Sequence, residues 1–252
     1  MAIVKWEKDD TVAVMTMNSA ENRHNPEWTK AMLAIYDEIL ADTEIKAIVL
    51  TSSDPKTFCL GVDTDWMLKA MGNNEFEEIS KWLHENNKVF EAMLMSPVPT
   101  IAAITGHAFG NGAMLAGACD FRFMRADRGY FCLPEIDIGI QLAPSMLEWM
   151  GRIIPHDLFV RILLTGDRIG AYELAENKVI MKACEDAEKT LQEAIAFAKT
   201  FNKSRTTMAE MKKRAYKSIT DKMLDEDPDY FAYKPEVAEA GGAPIFMFTP
   251  LT

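Results

Sequence analysis

The chain is poor in the features that announce extracellular, metal-bound or membrane proteins. Its four cysteines, Cys59, Cys119, Cys132 and Cys184, are widely spaced among apolar neighbours and form no CxxC pair or Cys/His cluster of zinc spacing. They are expected to be reduced core thiols, with no disulfide frame and no metal. No stretch approaches the roughly 18 uninterrupted apolar residues of a membrane span. The start, MAIVKWEKDD, is charged by Lys5, so it lacks the apolar centre of a signal peptide, and a cytoplasmic chain that stays off membranes is expected. Positive charge is also short: 27 Lys and Arg face 38 Asp and Glu, giving a formal charge of −11 that repels nucleic acid and anionic lipid. With 13 Gly and 11 Pro, collagenous and low-complexity chains are excluded.

Several catalytic devices are missing as well. The series Gly106, Gly110, Gly112, Gly117 does not make GxGxxG, and no GxxxxGK[ST] phosphate loop occurs. Gly110-Asn111-Gly112-Ala113-Met114 carries no hydroxyl, which excludes a serine nucleophile on that turn. His24, His84, His107 and His156 show no HxxxH spacing and read as surface or loop residues.

What is present is an ordinary globular composition, 48% hydrophobic and 26% charged, over 252 residues. That length suits one large α/β domain, or a domain with a helical appendage. No repeat of 20–50 residues and no linker interrupts residues 1–200, which are expected to form one unit, with 201–252 a C-terminal helical and oligomerisation region. Ile3–Glu7 and Thr11–Met17 alternate around Asp9-Asp10 as a β-hairpin. Asn25-Pro26 opens an apolar stripe, Met32, Leu33, Ile35, Ile39, Leu40, with Asn25 as cap and Pro26 at the first helical position. Ala47–Thr51 and Thr100–Thr105 suit strands covered on both faces. Between them lie a loop over Ser52–Asp63 and a helical stretch over Glu75–Met95. A small-residue helix, Ala113–Ala118, and a strand, Phe121–Met124, follow, and from Ala143 the pattern is helical with breaks at Pro155, Thr165–Gly170 and Asn202. Asp225–Thr252 carries five aromatics and four prolines without periodicity.

Three segments carry candidate chemistry. Phe58-Cys59-Leu60-Gly61-Val62-Asp63 follows a buried strand and bends at a glycine. Gly110-Asn111-Gly112 opens a helix, where peptide N–H groups are unpaired at the positive end of the dipole. Either loop is a tight connection or a donor of backbone N–H to an anion; two donors converging on one oxygen make an oxyanion hole. Glu135 lies between Leu133-Pro134 and Ile136, where burial would lift its pKa into the general acid/base range and an exposed turn would leave it ordinary.

Together with Arg23-His24-Asn25, Thr105–Gly112 running on to Cys119-Asp120, Leu133–Ile136 and Leu164-Thr165-Gly166-Asp167-Arg168, these segments resemble the crotonase (enoyl-CoA hydratase/isomerase) family over roughly residues 1–200. The resemblance implies a spiral of ββα units with a C-terminal helical region, assembled as trimers or dimers of trimers, acting on acyl-CoA thioesters with no permanently bound cofactor. It implies backbone N–H groups of Val62 and Asn111 as the oxyanion hole, Leu60 beside the adenine, and Arg23 near the CoA phosphates. Typical hydratases of the family carry two glutamates; here the first place falls on Met114, which has no carboxylate, and only Glu135 remains. The Pro-Gly-x-Gly-Gly turn that usually follows is replaced by Ile136–Pro144. The segment from His107 to Asp137, with its Met-Arg-x-Asp-Arg-Gly run at 124–129, is similar to eukaryotic-type peroxisomal isomerases, especially those of plants. One carboxylate implies Δ3,Δ2-enoyl-CoA isomerisation; another reaction of the family (hydration, thioester hydrolysis, decarboxylation) and a non-catalytic CoA-binding subunit are the rivals. Asp137, Gln141 and His107 stand as further candidates for the pocket, and Trp66, Met67, Met71 and the 75–95 helix as what sets its depth.

Overall fold

The computed structural model describes residues 2–240 and 242–245. The expected hairpin forms from β1 (Val4–Asp9) and β2 (Val12–Met17), antiparallel, with Asp10 at φ 58 in the turn. Asn25 caps α1 (Pro26–Ala41) by accepting from the Trp28 N–H. Beyond α1 the strands are dealt alternately to two sheets. β3 (Ala47–Ser52), β5 (Thr100–Ile104), β7 (Phe121–Arg125) and β9 (Lys182–Cys184) extend the hairpin into a six-stranded sheet of order β1-β2-β3-β5-β7-β9. The shorter β4 (Thr57–Cys59), β6 (His107–Phe109) and β8 (Phe131–Cys132) make a second sheet, parallel throughout. Each pair hands the chain to a helix: α2 (Thr64–Gly72) and α3 (Phe76–Met95) after β4, and α4 (Asn111–Ala118) after β6. This is the spiral of ββα units that the resemblance implied.

The central strands β3 and β5 of the large sheet are buried on both faces, as parallel strands covered on each side must be. Along β3, Ile48 and Leu50 enter the main core while Ala47 and Val49 face a second cluster under α8 (Ala187–Ala198). All four cysteines are free and buried. No helix among the described residues is long and apolar enough to cross a membrane.

After a 3-10 turn over Pro134–Ile138, α5 (Pro144–Ile153), α6 (His156–Thr165) and α7 (Ala171–Glu176) follow, and α9 (Arg205–Ala215), α10 (Lys217–Asp225), α11 (Asp227–Phe231) and α12 (Pro235–Glu239) end the described chain. α10 packs on α5 and α11 on α3. Lys212 of α9 meets Asp120 at 2.6 Å, both nearly buried. Asp227, fully buried, accepts from Asn87 Nδ2 at 2.9 Å, from the Ser145 N–H at 3.0 Å, and from the Ser145 hydroxyl. The tail up to Ile245 thus packs on its own body; Phe246 and Phe248 lie outside the described residues.

Candidate active site

Three segments distant in sequence meet at the top of the small sheet. Gly61 has φ +80, and a Cβ built on it would stand 2.9 Å from Asn111 N and 2.8 Å from Phe109 O. A Cβ on Gly112 would overlap the Cys59 carbonyl, so the two glycine loops are in backbone contact. Gly110, at φ +53, faces Glu135: its Cβ would fall 3.0 Å from Oε1. A side chain at Gly61 or Gly112 would force the loops apart, and one at Gly110 would crowd the Glu135 carboxyl.

The first loop is held by a parallel run of residues 21–25. Leu60 N–H donates to Glu21 O at 3.1 Å, His24 N–H to Gly61 O at 2.7 Å, and Asp63 N–H to His24 O at 2.9 Å. The Val62 N–H falls between these bonds and is used by none of them, and the Asn111 N–H at the first turn of α4 makes no backbone bond among the described residues. Two unspent donors therefore stand on loops in contact with each other.

Beneath the first loop the ring of His24 stacks on Trp28 at 3.7 Å, and its Nε2 lies 3.2 Å from Cys59 Sγ. The expectation of a surface or loop histidine fails here: His24 is fully buried, and desolvation holds its pKa down at about 3. The same burial pushes Cys59 up to about 12, so it is a packed thiol and not a nucleophile.

Glu135 is buried, and loss of hydration lifts its carboxyl from 4.5 to about 7. Its Oε2 is sealed from solvent with no partner among the described residues. The alternative of an exposed loop carboxylate is thereby removed.

Arg23, Leu60, Val62, Asn111 and Glu135 all line one cavity of about 280 Å³. Among the described residues around it Glu135 is the sole carboxylic acid; the rest of the wall is largely aliphatic and aromatic, including Met67, Leu83, Leu142 and Met146. Arg23 is tied to Glu21 at 2.8 Å, so an anion there would share the guanidinium. Asp137, Gln141 and His107 do not line the cavity, nor do Trp66 and Met71; Met67 does, and the 75–95 helix contributes Leu83 and Asn86. Met114 is fully buried and stays out of the wall. Sequence reasoning missed Asn86 and Phe231. Asn86 sits among core positions of α3 with nothing local to mark it, and Phe231 belongs to a segment without periodicity, placed by long-range contacts such as the Asp227 bonds and its ring packing on His84.

Amide donors on touching loops, facing a carboxyl group poised near neutral pH, form a site suited to proton transfer beside a carbonyl, where an enolate oxygen must be held. The chain belongs to the enoyl-CoA hydratase/isomerase family, whose pattern matches residues 7–232. Among curated relatives, "Probable enoyl-CoA hydratase 2, mitochondrial" of Arabidopsis thaliana is 28% identical over 77% of this chain. That alignment spans 63% of the plant protein, so the chain matches less than two thirds of that relative. "Enoyl-CoA delta isomerase 3" of the same plant is 26% identical, covering 75% of this chain and 79% of its own length. An apo enoyl-CoA isomerase structure from Mycobacterium tuberculosis superposes with a TM-score of 0.81 at 20% identity, covering 91% of this chain and 97% of that one, a likeness of fold. Relatives are named for both reactions.

Proposed function

We infer that the protein is an acyl-CoA isomerase that moves the double bond of a 3-enoyl-CoA to the 2-position. The observation that carries this reading is the single carboxylate of the cavity, Glu135, with its pKa near 7. Ionised Glu135 removes a proton from C2, the electron pair spreads over C2 to C4 and the thioester oxygen, and the Val62 and Asn111 N–H groups hold that oxygen. Protonated Glu135 then returns the proton at C4, and the double bond closes between C2 and C3. A pKa near 7 suits a group that must serve as base and then as acid. Adding water would require a second group to hold and activate it, and Met114 occupies the place where that glutamate is expected.

CoA enters as part of the substrate, and no resident cofactor takes part. Since the Leu60 N–H is spent on Glu21, its carbonyl is the group that meets the adenine amine, while Arg23 attracts phosphate.

Incubating the protein separately with a 3-enoyl-CoA and with crotonyl-CoA, and identifying products by mass and chromatography, tests the assignment. The expected outcome is conversion of the first to its 2-enoyl isomer and negligible hydration of the second. Efficient hydration of crotonyl-CoA would overturn it. Glu135→Gln should lower kcat by about 10²–10⁴-fold while acyl-CoA binding persists.

A further inference from the structure

Phe231 stands between two hollows of the molecule. Its ring is 1% exposed and lines the cavity, and the ring of His84 meets it edge-on, with centroids 5.4 Å apart and planes at 87°. His84 does not line the cavity; with Ala232 and Tyr233 it lines a surface groove of about 640 Å³. The same two segments supply both walls. Leu83 and Phe231 face the cavity, and the next residue of each, His84 and Ala232, faces the groove, so the partition at this point is the Phe231 ring backed by the His84 ring. The Phe231 ring is pinned rather than hinged: upstream, Asp227 accepts from Asn87 and Ser145, and downstream, Tyr233 pairs with Ile245 and stacks on Phe76 at 5.7 Å. With CoA at Arg23 and Leu60 and the thioester oxygen at Val62 and Asn111, the lining left for an acyl chain is Leu83, Met146, Phe231 and their apolar neighbours.

We propose that Phe231 is a specificity-determining residue, a fixed stop that sets the longest acyl chain the cavity takes in full. This inference rests on the acyl-CoA reading above and narrows its substrate class to chains that end short of the ring. A methylene added short of the ring is buried, which raises affinity about fourfold. One added at the ring must turn back or displace packed aromatics, and the gain ends there. Behind the ring lie His84 and the groove, so a smaller side chain at 231 opens onto space that a longer chain can enter.

The test is calorimetric binding of saturated, unbranched acyl-CoA thioesters, lengthened stepwise from butanoyl to hexadecanoyl. Wild-type affinity should climb with length and then level or fall at one break. Phe231→Ala should move that break to longer chains, so that the first thioester beyond the wild-type limit binds the variant about tenfold more tightly than it binds the wild type. Phe231→Leu, which disturbs the packing less, should move it less in the same direction. Wild-type affinity that climbs through the whole series overturns the inference even if no variant folds. So do folded Phe231→Ala and Phe231→Leu proteins that bind every length more weakly while the break stays in place, the result of a merely structural role. Absence of binding at every length overturns the acyl-CoA reading and this inference with it. Saturated thioesters cannot isomerise, so failure of the isomerase assay alone leaves this readout intact.

Discussion

Glu135 links stability and activity through one proton. Because burial raises its pKa from 4.5 to about 7, the folded chain retains a proton that the unfolded chain releases across that window. The stability tied to this proton is complete below 4.5 and is lost as pH rises through about 7. Ionisation then weighs against the fold by on the order of 3 kcal/mol. Glu135→Gln never ionises, so in urea titrations it should outlast the wild type at about pH 8 and match it at about pH 4; an equal gap at both pH values would falsify the buried-carboxyl account. Catalysis runs the other way: kcat/KM should climb with pH along a limb centred near 7, since the base is the ionised form. His24 carries the opposite sign, its lowered pKa adding stability above its ordinary 6.5 that drains away as pH falls toward about 3. The candidacy of Glu135 was legible from its apolar neighbours, but the burial of His24 was not, because it depends on Trp28 one helical turn away and Cys59 across a loop.

At the level of elements, long amphipathic helices and wholly apolar strands could be read directly, since α1, α3, β3 and β5 are long enough to show a period. β4, β6 and β8 could not: with three, three and two residues, they are shorter than any alternation can reveal, and β4 fell inside the stretch Ser52–Asp63 read as a loop. They exist because each pairs with the preceding turn of the spiral, a tertiary cause without a local signal. The glycines of their C-terminal loops were visible, and their contact explains why two short loops suffice for an oxyanion site. Gly61→Ala would set a Cβ 2.9 Å from Asn111 N and demand a left-handed backbone of a residue that resists it. The loops should part and the two amides lose their common target, lowering kcat by about 10²-fold, the lower end for loss of one oxyanion donor. Steady-state kinetics beside thermal unfolding checks this; a folded Gly61→Ala protein with wild-type kcat would remove the Val62 and Asn111 pair from the mechanism.

For the whole molecule the question is what the C-terminal region does. The sequence left the aromatics of the tail to pack on the main body or on a neighbouring subunit, and the described part of the tail closes the protein's own cavity: Asp227 is bonded from α3 and α5, and Phe231, 1% exposed, stands in the cavity wall. Removing the chain beyond Leu224 should therefore lower the melting temperature, because Asn87 and Ser145 lose their buried acceptor at about 1–3 kcal/mol each. It should also weaken acyl-CoA binding by opening the wall at Phe231. Self-association is expected from a different surface. Ile136 and Ile138 of the 3-10 turn and Leu164 of α6, elements in contact with each other, remain 49%, 51% and 62% exposed. Such a group of large aliphatic side chains beside the cavity is more than a free chain leaves in water without use. The trimer or hexamer implied by the family resemblance would cover it. Light scattering at micromolar concentration should then give a mass of three or six chains of 28.3 kDa for the wild type. Leu164→Glu should reduce that mass, while truncation beyond Leu224 should leave the assembly in place. A monomeric wild type removes the assembly, and a truncated protein that falls apart into single folded chains returns the oligomerising role to the tail.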